Sequence, residues 1–178
     1  MSGPRRLSQR LSEGDGIAVI VRVGDPDAAR AAEAGGAKGL AVDAAIVGLR
    51  MATSLPVLWL GSGHPSDADA VGVGPGEDAT DELETVVVVG REEELEAALG
   101  SHDPQIFLLA PRPDDDDADP LESVLELLPD VPAGKLAIAE LDAATRHDVL
   151  MLERAGFDAV LVAGGDVAEL VGERAPEF

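Results

Sequence analysis

The sequence predicts an α/β protein, a shortened (β/α)8 TIM barrel. Eight short apolar runs follow one another along the 178 residues, and helical segments or short loops separate them. Parallel strands that are covered on both faces give such continuous apolar runs. Barrels of this kind rarely have fewer than about 200 residues, so some connections must lack full helices. An open doubly wound parallel sheet is the alternative architecture.

The first half of the chain contains four predicted strands, at residues 16–23, 37–43, 55–61 and 68–74. The first connecting helix follows Asp25, which can cap it, and Pro26, which suits a first turn; Gly35 and Gly36 end it. A second helix is predicted over residues 44–54. Only a very short connector precedes the fourth strand.

The second half contains the other four strands, at residues 83–90, 104–111, 136–140 and 157–164. Helices are predicted over 91–101, over the first ten residues of 119–133, and before Gly156, which can end a helix. A short helix with Asp166 as its cap closes the chain.

Residues 134–165 form the most informative unit, because they give a strand, a helix and a strand in turn. Two strands joined by one helix lie parallel. Glu140 then stands at the carboxyl end of a strand, where α/β proteins place their ligand sites.

Charge and composition exclude several classes of function. The chain has 35 carboxylates, 13 Lys plus Arg and a formal net charge of −22, so it repels nucleic acid and anionic lipid. Hydrophobic residues make up 46%, which favours a folded core under an acidic shell. Such a shell, with two lysines only, resembles proteins of halophilic archaea. The absence of cysteine excludes disulfides and thiolate chemistry.

The chain is predicted to have one domain. Residues 1–15 are expected to be a flexible or amphipathic arm, and residues 16–178 a single barrel domain. No apolar run approaches the roughly 20 residues that cross a bilayer, and the amino terminus lacks the apolar segment of a signal peptide. We therefore expect a cytoplasmic protein.

From Leu83 onward the order of segments, ETVVVVGREEELEAAL, QIFLLAPRPD and LESVLELLPDVPAGKLAIAELDAATRHDVLMLERAGFDAVLVAGG, resembles indole-3-glycerol-phosphate synthase. The earlier AARAAEAGGAKGLAV and LPVLWLG also resemble that family. The resemblance implies a barrel of the ribulose-phosphate-binding type. It also implies a link to tryptophan biosynthesis, where the family closes an indole ring on a carboxyphenylamino-deoxyribulose phosphate by acid–base chemistry.

Most of the family's catalytic residues have no counterpart here. The positions that match its two lysines, two of its glutamates and its paired asparagines are Val19, Val21, Leu60, Val88, Ala110 and Pro111. Such side chains neither donate nor accept a proton. Glu140 matches an active-site glutamate of the family, with Leu141 in place of a serine, and Arg112 matches an arginine after the sixth strand. The resemblance therefore implies a relative without synthase activity.

Four residues are the candidate site. Glu140 is a candidate catalytic or ligand-binding group; otherwise it pairs with Arg112 or Arg22 at the strand ends. Arg112, Gly164 and Gly165 are candidate ligand-binding residues, because glycines after the eighth strand let backbone N–H groups approach a phosphate. The alternative for the glycines is a turn before a helix that Asp166 caps.

The favoured hypothesis is a barrel that binds a small phosphorylated metabolite or a partner enzyme. One alternative is a carbon–carbon lyase or isomerase of sugar phosphates that uses Glu140. Another is a non-catalytic interaction protein that forms a homo-oligomer. No cofactor is predicted, and no metal, since His64, His102 and His147 lack the spacing of a metal motif. Trp59 is predicted to fill core.

Overall fold

A computed structural model describes residues 6–13, 16–62, 68–77, 83–101, 104–111, 119–164 and 167–171. Within these residues, eight parallel strands pair in chain order, and the last pairs with the first, so that the sheet is a closed barrel. The strands are β1 Ala18–Arg22, β2 Gly39–Val42, β3 Val57–Trp59, β4 Ala70–Val73, β5 Glu84–Val89, β6 Ile106–Leu109, β7 Leu136–Glu140 and β8 Ala159–Val162. The barrel prediction is confirmed, and the open sheet is wrong.

The helices of the described residues are α1 Arg6–Ser12, α2 Pro26–Gly35, α3 Leu49–Ala52, α4 Glu92–Ser101, α5 Pro120–Leu127, α6 Arg146–Ala155 and α7 Val167–Val171. A 3₁₀ turn, Leu128–Asp130, follows α5. The described parts of the β3–β4 and β4–β5 connections contain no helix, which is how so short a chain forms a barrel. None of the described helices has the length and apolar character to span a bilayer.

Helix ends follow the capping residues in the sequence. Asp25 accepts a hydrogen bond from the Ala28 N–H at the start of α2. Thr145 and Asp148 form a reciprocal capping box at the start of α6. Gly156 ends α6 with φ +111°, a left-handed conformation that favours glycine.

The helix predicted over residues 44–54 is shorter than expected. Only Leu49–Ala52 is helical, and Gly48 precedes it with φ +81°. That left-handed residue prevents the apolar run before it from joining the helix. The composition of the run favoured a helix from residue 44, but the left-handed backbone at Gly48 delays its start by five residues, to Leu49.

Buried residues form two clusters on opposite faces of the sheet. The outer cluster joins the strands to the helices and includes Val19, Val21 and Trp59. The inner cluster fills the barrel with alternate strand residues, among them Ala18 and Ile20. Trp59 is therefore a core residue between sheet and helices.

Helix α1 packs against the inner cluster at the amino-terminal end of the strands. Leu7 and Leu11 are buried there, and a Cβ on Gly39 at the start of β2 would lie 3.4 Å from Leu7 Cδ1. Glu84, the first residue of β5, accepts hydrogen bonds from the N–H groups of Leu7 (2.7 Å) and Ser8 (3.2 Å) and from the Ser8 hydroxyl. One carboxylate thus satisfies donors that the helix itself leaves free.

Two aspartates fix neighbouring strands at the same end. Asp69, just before β4, accepts a hydrogen bond from the Val57 N–H (2.9 Å) and pairs with Arg50 (3.0 Å). Asp158, just before β8, accepts one from the Ala137 N–H (2.9 Å). Burial raises the pKa of Asp158, and the bond from Ala137 partly opposes that shift.

Candidate functional site

Three charged side chains meet at the carboxyl ends of the strands, which we call the barrel mouth. Arg22 ends β1, Glu140 ends β7, and Asp43 follows β2. Arg22 Nη2 lies 3.0 Å from Glu140 Oε1, and Arg22 Nε lies 3.4 Å from Asp43 Oδ2. One guanidinium therefore links strands on both sides of β8.

Strand alternation places this pair. Successive side chains of a strand point to opposite faces, so Arg22 shares the inner face with Ala18 and Ile20. Glu140 shares the inner face of β7 with Leu136 and Ile138. Since β8 separates these strands in the barrel, their last inward residues converge above it.

The register shows which of the positions matched to the family face the barrel interior. Val19 and Val21, the positions matched to the family's first-strand glutamate and lysine, lie in the outer cluster. The inward residue at the end of β1 is Arg22. Leu60 and Val88, in contrast, do pack against the inner cluster.

A pocket of about 730 Å³ opens at the mouth, a volume typical of small-molecule sites. Most of its lining is apolar or backbone; the described lining residues are Gly74, Pro75, Val88, Ala110, Pro111, Pro120, Glu140, Leu141, Asp142 and Ala143. A Cβ on Gly72 would lie 2.6 Å from Leu60 Cδ2 and 3.2 Å from Val88 Cγ2. Apolar side chains therefore fill the interior beside the pocket.

The charged groups of the mouth remain open to solvent. The side chains of Arg22, Glu140 and Asp43 are 29%, 21% and 58% exposed. Within the described residues, Arg22 Nε is buried and makes no hydrogen bond, although Asp43 Oδ2 lies 3.4 Å away. Of the two ion pairs that Arg22 forms within these residues, the one with Glu140 is therefore the closer.

The predicted site residues are only partly described. Glu140 lines the pocket. Of its two expected partners, Arg22 lies within the described residues and donates a hydrogen bond to Glu140. Gly164 is exposed, and a Cβ there would meet nothing within 4 Å. Arg112, Gly165 and Asp166 lie outside the described residues, and their roles stay predictions.

Sequence reasoning gave Arg22 no role beyond a partner for Glu140. Every other residue of β1 is apolar, so AVIVR carries no period-two signal to show which face points inward. Only the closed barrel shows that Arg22 lies on the same face of β1 as the inward residues.

The described residues contain no group of three or more His, Cys, Asp and Glu side chains able to hold a metal ion. His147 is exposed near the start of α6, whereas His64 and His102 lie outside the described residues. The ion pairs described at the mouth join the guanidinium of Arg22 to the carboxylates of Asp43 and Glu140.

Similar solved structures share this architecture. No family model matches the chain, and no curated protein matches it. N-acetylmannosamine-6-phosphate 2-epimerase from Clostridium perfringens matches with a TM-score of 0.65 at 15% identity, over 85% of this chain and 88% of that chain. Thiamine phosphate pyrophosphorylase from Pyrococcus furiosus matches with a TM-score of 0.63 at 17% identity, over 87% and 93%.

The chain has the fold of a (β/α)8 barrel. At these identities the likeness shows the fold alone. These two solved structures are an epimerase and a pyrophosphorylase, and they give no evidence for the indole-3-glycerol-phosphate synthase family in particular.

Proposed function

We propose that this barrel binds a small phosphorylated metabolite at its mouth and lacks indole-3-glycerol-phosphate synthase activity. The observation that carries the proposal is the Arg22–Glu140 pair, 3.0 Å apart, beside a pocket of about 730 Å³ at the carboxyl ends of the strands. In (β/α)8 barrels, ligand sites lie at this end.

Two further observations support a phosphate-bearing ligand. Both matched solved structures are enzymes named for a phosphorylated compound. The loop after β8, where such barrels frequently bind phosphate, begins with exposed residues and open space at Gly164. Arg22, on the strand that pairs with β8, supplies a cation at the mouth.

The loss of synthase chemistry is supported by the apolar residues around the pocket. Leu60, Val88 and Ala110 stand at the positions matched to a lysine, a glutamate and an asparagine of the family. None of the three can exchange a proton. At these three positions, no side chain can then carry out the proton transfers of ring closure.

An active lyase or isomerase is the second candidate, because Glu140 is a carboxylate that lines the pocket. It would act as a general acid or base on a sugar phosphate. Turnover of a sugar phosphate by the wild type that Glu140→Gln abolishes would favour this candidate over binding alone.

Ligand-induced thermal stabilisation in molar potassium chloride tests the binding proposal. Ribose 5-phosphate is expected to raise the Tm, while ribose at the same concentration leaves it unchanged, because binding to the native state stabilises it. Arg22→Ala is expected to remove the difference. Arg30→Ala, a matched change at an exposed arginine on α2, keeps it.

A second assay tests the synthase part. Wild-type protein incubated with carboxyphenylamino-deoxyribulose phosphate is expected to release no indole product.

Two outcomes would contradict the proposal. Equal thermal stabilisation by ribose and ribose 5-phosphate, or stabilisation by neither, contradicts the binding part. Indole formation that Glu140→Gln abolishes contradicts the loss of activity.

A further inference from the structure

The described walls of the mouth pocket lack a hydrogen-bond-donating side chain. Among the pocket's described lining residues, the polar side chains are the carboxylates of Glu140 and Asp142, which accept hydrogen bonds. Carboxylates on these walls favour a ligand group that donates hydrogen bonds.

The charge of the mouth favours a cation for the same group. Arg22 pairs with the carboxylates of Asp43 and Glu140, and Asp142 lines the pocket beside Glu140. Glu140 uses Oε1 for Arg22, and Oε2 makes no hydrogen bond within the part of the chain that the structure describes. A carboxylate oxygen beside an apolar wall is a strong acceptor for an ammonium.

The rest of the pocket suits an apolar body. Val88, Ala110, Pro111 and Leu141 supply its walls, and the volume of about 730 Å³ holds a ligand larger than a single ammonium ion. Amphipathic ligands of this kind place the charged group on the carboxylate and the hydrocarbon on the walls.

We infer that the mouth pocket takes an organic amine: an ammonium donates to Glu140 while an apolar body lies on the pocket wall. The inference rests on the proposed function, since the ammonium is a second charged group of the phosphorylated metabolite. The ligand class is therefore a zwitterionic amino phosphate. Its two charged groups lie side by side, because Arg22, which serves the phosphate, is 3.0 Å from Glu140, whose Oε2 serves the ammonium.

Three compounds of similar size and different charge test the inference: benzylamine, benzyl alcohol and phenylacetate. Dissociation constants are measured by calorimetry at one fixed potassium chloride concentration. We expect benzylamine to bind at least about tenfold more tightly than benzyl alcohol, since one good charge-assisted hydrogen bond is of that order, and phenylacetate to bind most weakly. Similar constants for all three compounds overturn the inference.

Variants separate the pocket from the general attraction of an acidic protein for cations. Glu140→Gln is expected to reduce the preference for benzylamine to less than about threefold. Glu96→Gln removes the same charge from the exposed face of α4 and is expected to retain the preference. A preference that survives Glu140→Gln overturns the inference. If Glu140→Gln does not fold, Asp142→Asn replaces it as the test, because Asp142 is an exposed residue. The inference then predicts weaker benzylamine binding, and unchanged binding overturns it.

The two proposals fail separately. If the protein binds ribose 5-phosphate but does not prefer benzylamine, the proposed function stands and the amine inference is wrong. An amine preference that depends on Glu140, without any response to ribose 5-phosphate, keeps the amine site and removes the phosphorylated metabolite.

Discussion

The two ends of this barrel are built differently. At the amino-terminal end, Leu7 is fully buried under the strands, and Glu84 accepts three hydrogen bonds from α1. At the mouth, Arg22 and Glu140 remain partly exposed beside an open pocket. The difference assigns stability mainly to the first end and ligand chemistry to the second, the division usual in (β/α)8 barrels.

The largest expected effect on stability is that of Leu7→Ala. Truncation leaves a cavity among fully buried neighbours, so the free energy of unfolding is expected to fall by about 3 kcal/mol. Urea denaturation in molar potassium chloride measures it. Met51→Ala, at a side chain that is 93% exposed, is the control and is expected to change little. Equal changes in the free energy of unfolding for the two substitutions would contradict the claim that α1 packs into the core.

Glu84→Ala is expected to cost about 2 kcal/mol, because it removes charge-assisted hydrogen bonds to α1. Hydrogen exchange should then quicken at the amides of Leu7 and Ser8. Glu96→Ala on the exposed face of α4 provides a matched loss of charge. Unchanged protection of those two amides in the Glu84 variant would mean that the helix holds its place without the carboxylate.

Glu140→Gln is expected to change the free energy of unfolding by about 1 kcal/mol or less. Its ion pair with Arg22 reaches solvent on both sides, and exposed pairs contribute little. The same denaturation experiment measures it beside Leu7→Ala. A loss comparable with that of Leu7→Ala would make the mouth a structural element and weaken the contrast between the ends.

The smallest expected effect is a pH-dependent one at Asp158. Burial raises the pKa of Asp158 above its ordinary value of 3.8, so the native state binds the proton more tightly than the unfolded chain. Protonation therefore stabilises the fold as the pH falls toward that value, and the contribution is lost again as the pH rises through the folded-state pKa. Asp158→Asn has no carboxyl group at this position, so the variant lacks this pH-dependent contribution to stability.

Unfolding free energies of wild type and Asp158→Asn, measured from pH 7 down to pH 4, test this. The wild type is expected to gain stability relative to the variant as the pH falls. A constant difference across that range, or a relative loss by the wild type, would show that burial does not govern this carboxyl.

Sequence reasoning predicted the strands well because each is a short apolar run with clear ends. LAIAE between Gly134 and Asp142 and FDAVLVAG after Gly156 are examples, and both match the observed strands. It failed over residues 44–54, where apolar composition favoured a long helix but Gly48 takes a left-handed conformation. Local composition does not reveal such a backbone angle.

The site was harder to predict because its geometry is not local. Arg22 and Glu140 are 118 positions apart, and only the closure of β1 against β8 brings them together. The all-apolar start of β1 hides the inward face, so the sequence does not show that Arg22 faces inward and Val21 outward. The contacts of Glu84 with α1 are equally invisible in the sequence, since they join segments more than 70 residues apart.

Amide chemical shifts during a titration with ribose 5-phosphate test the central claim most directly. We predict that the changes concentrate at the carboxyl ends of the strands, at Gly74, Leu141 and Gly164, and leave Leu7, Ser8 and Glu84 unmoved. Changes centred on α1 and the start of β5, or no saturable change at any amide, would contradict a ligand site at the mouth.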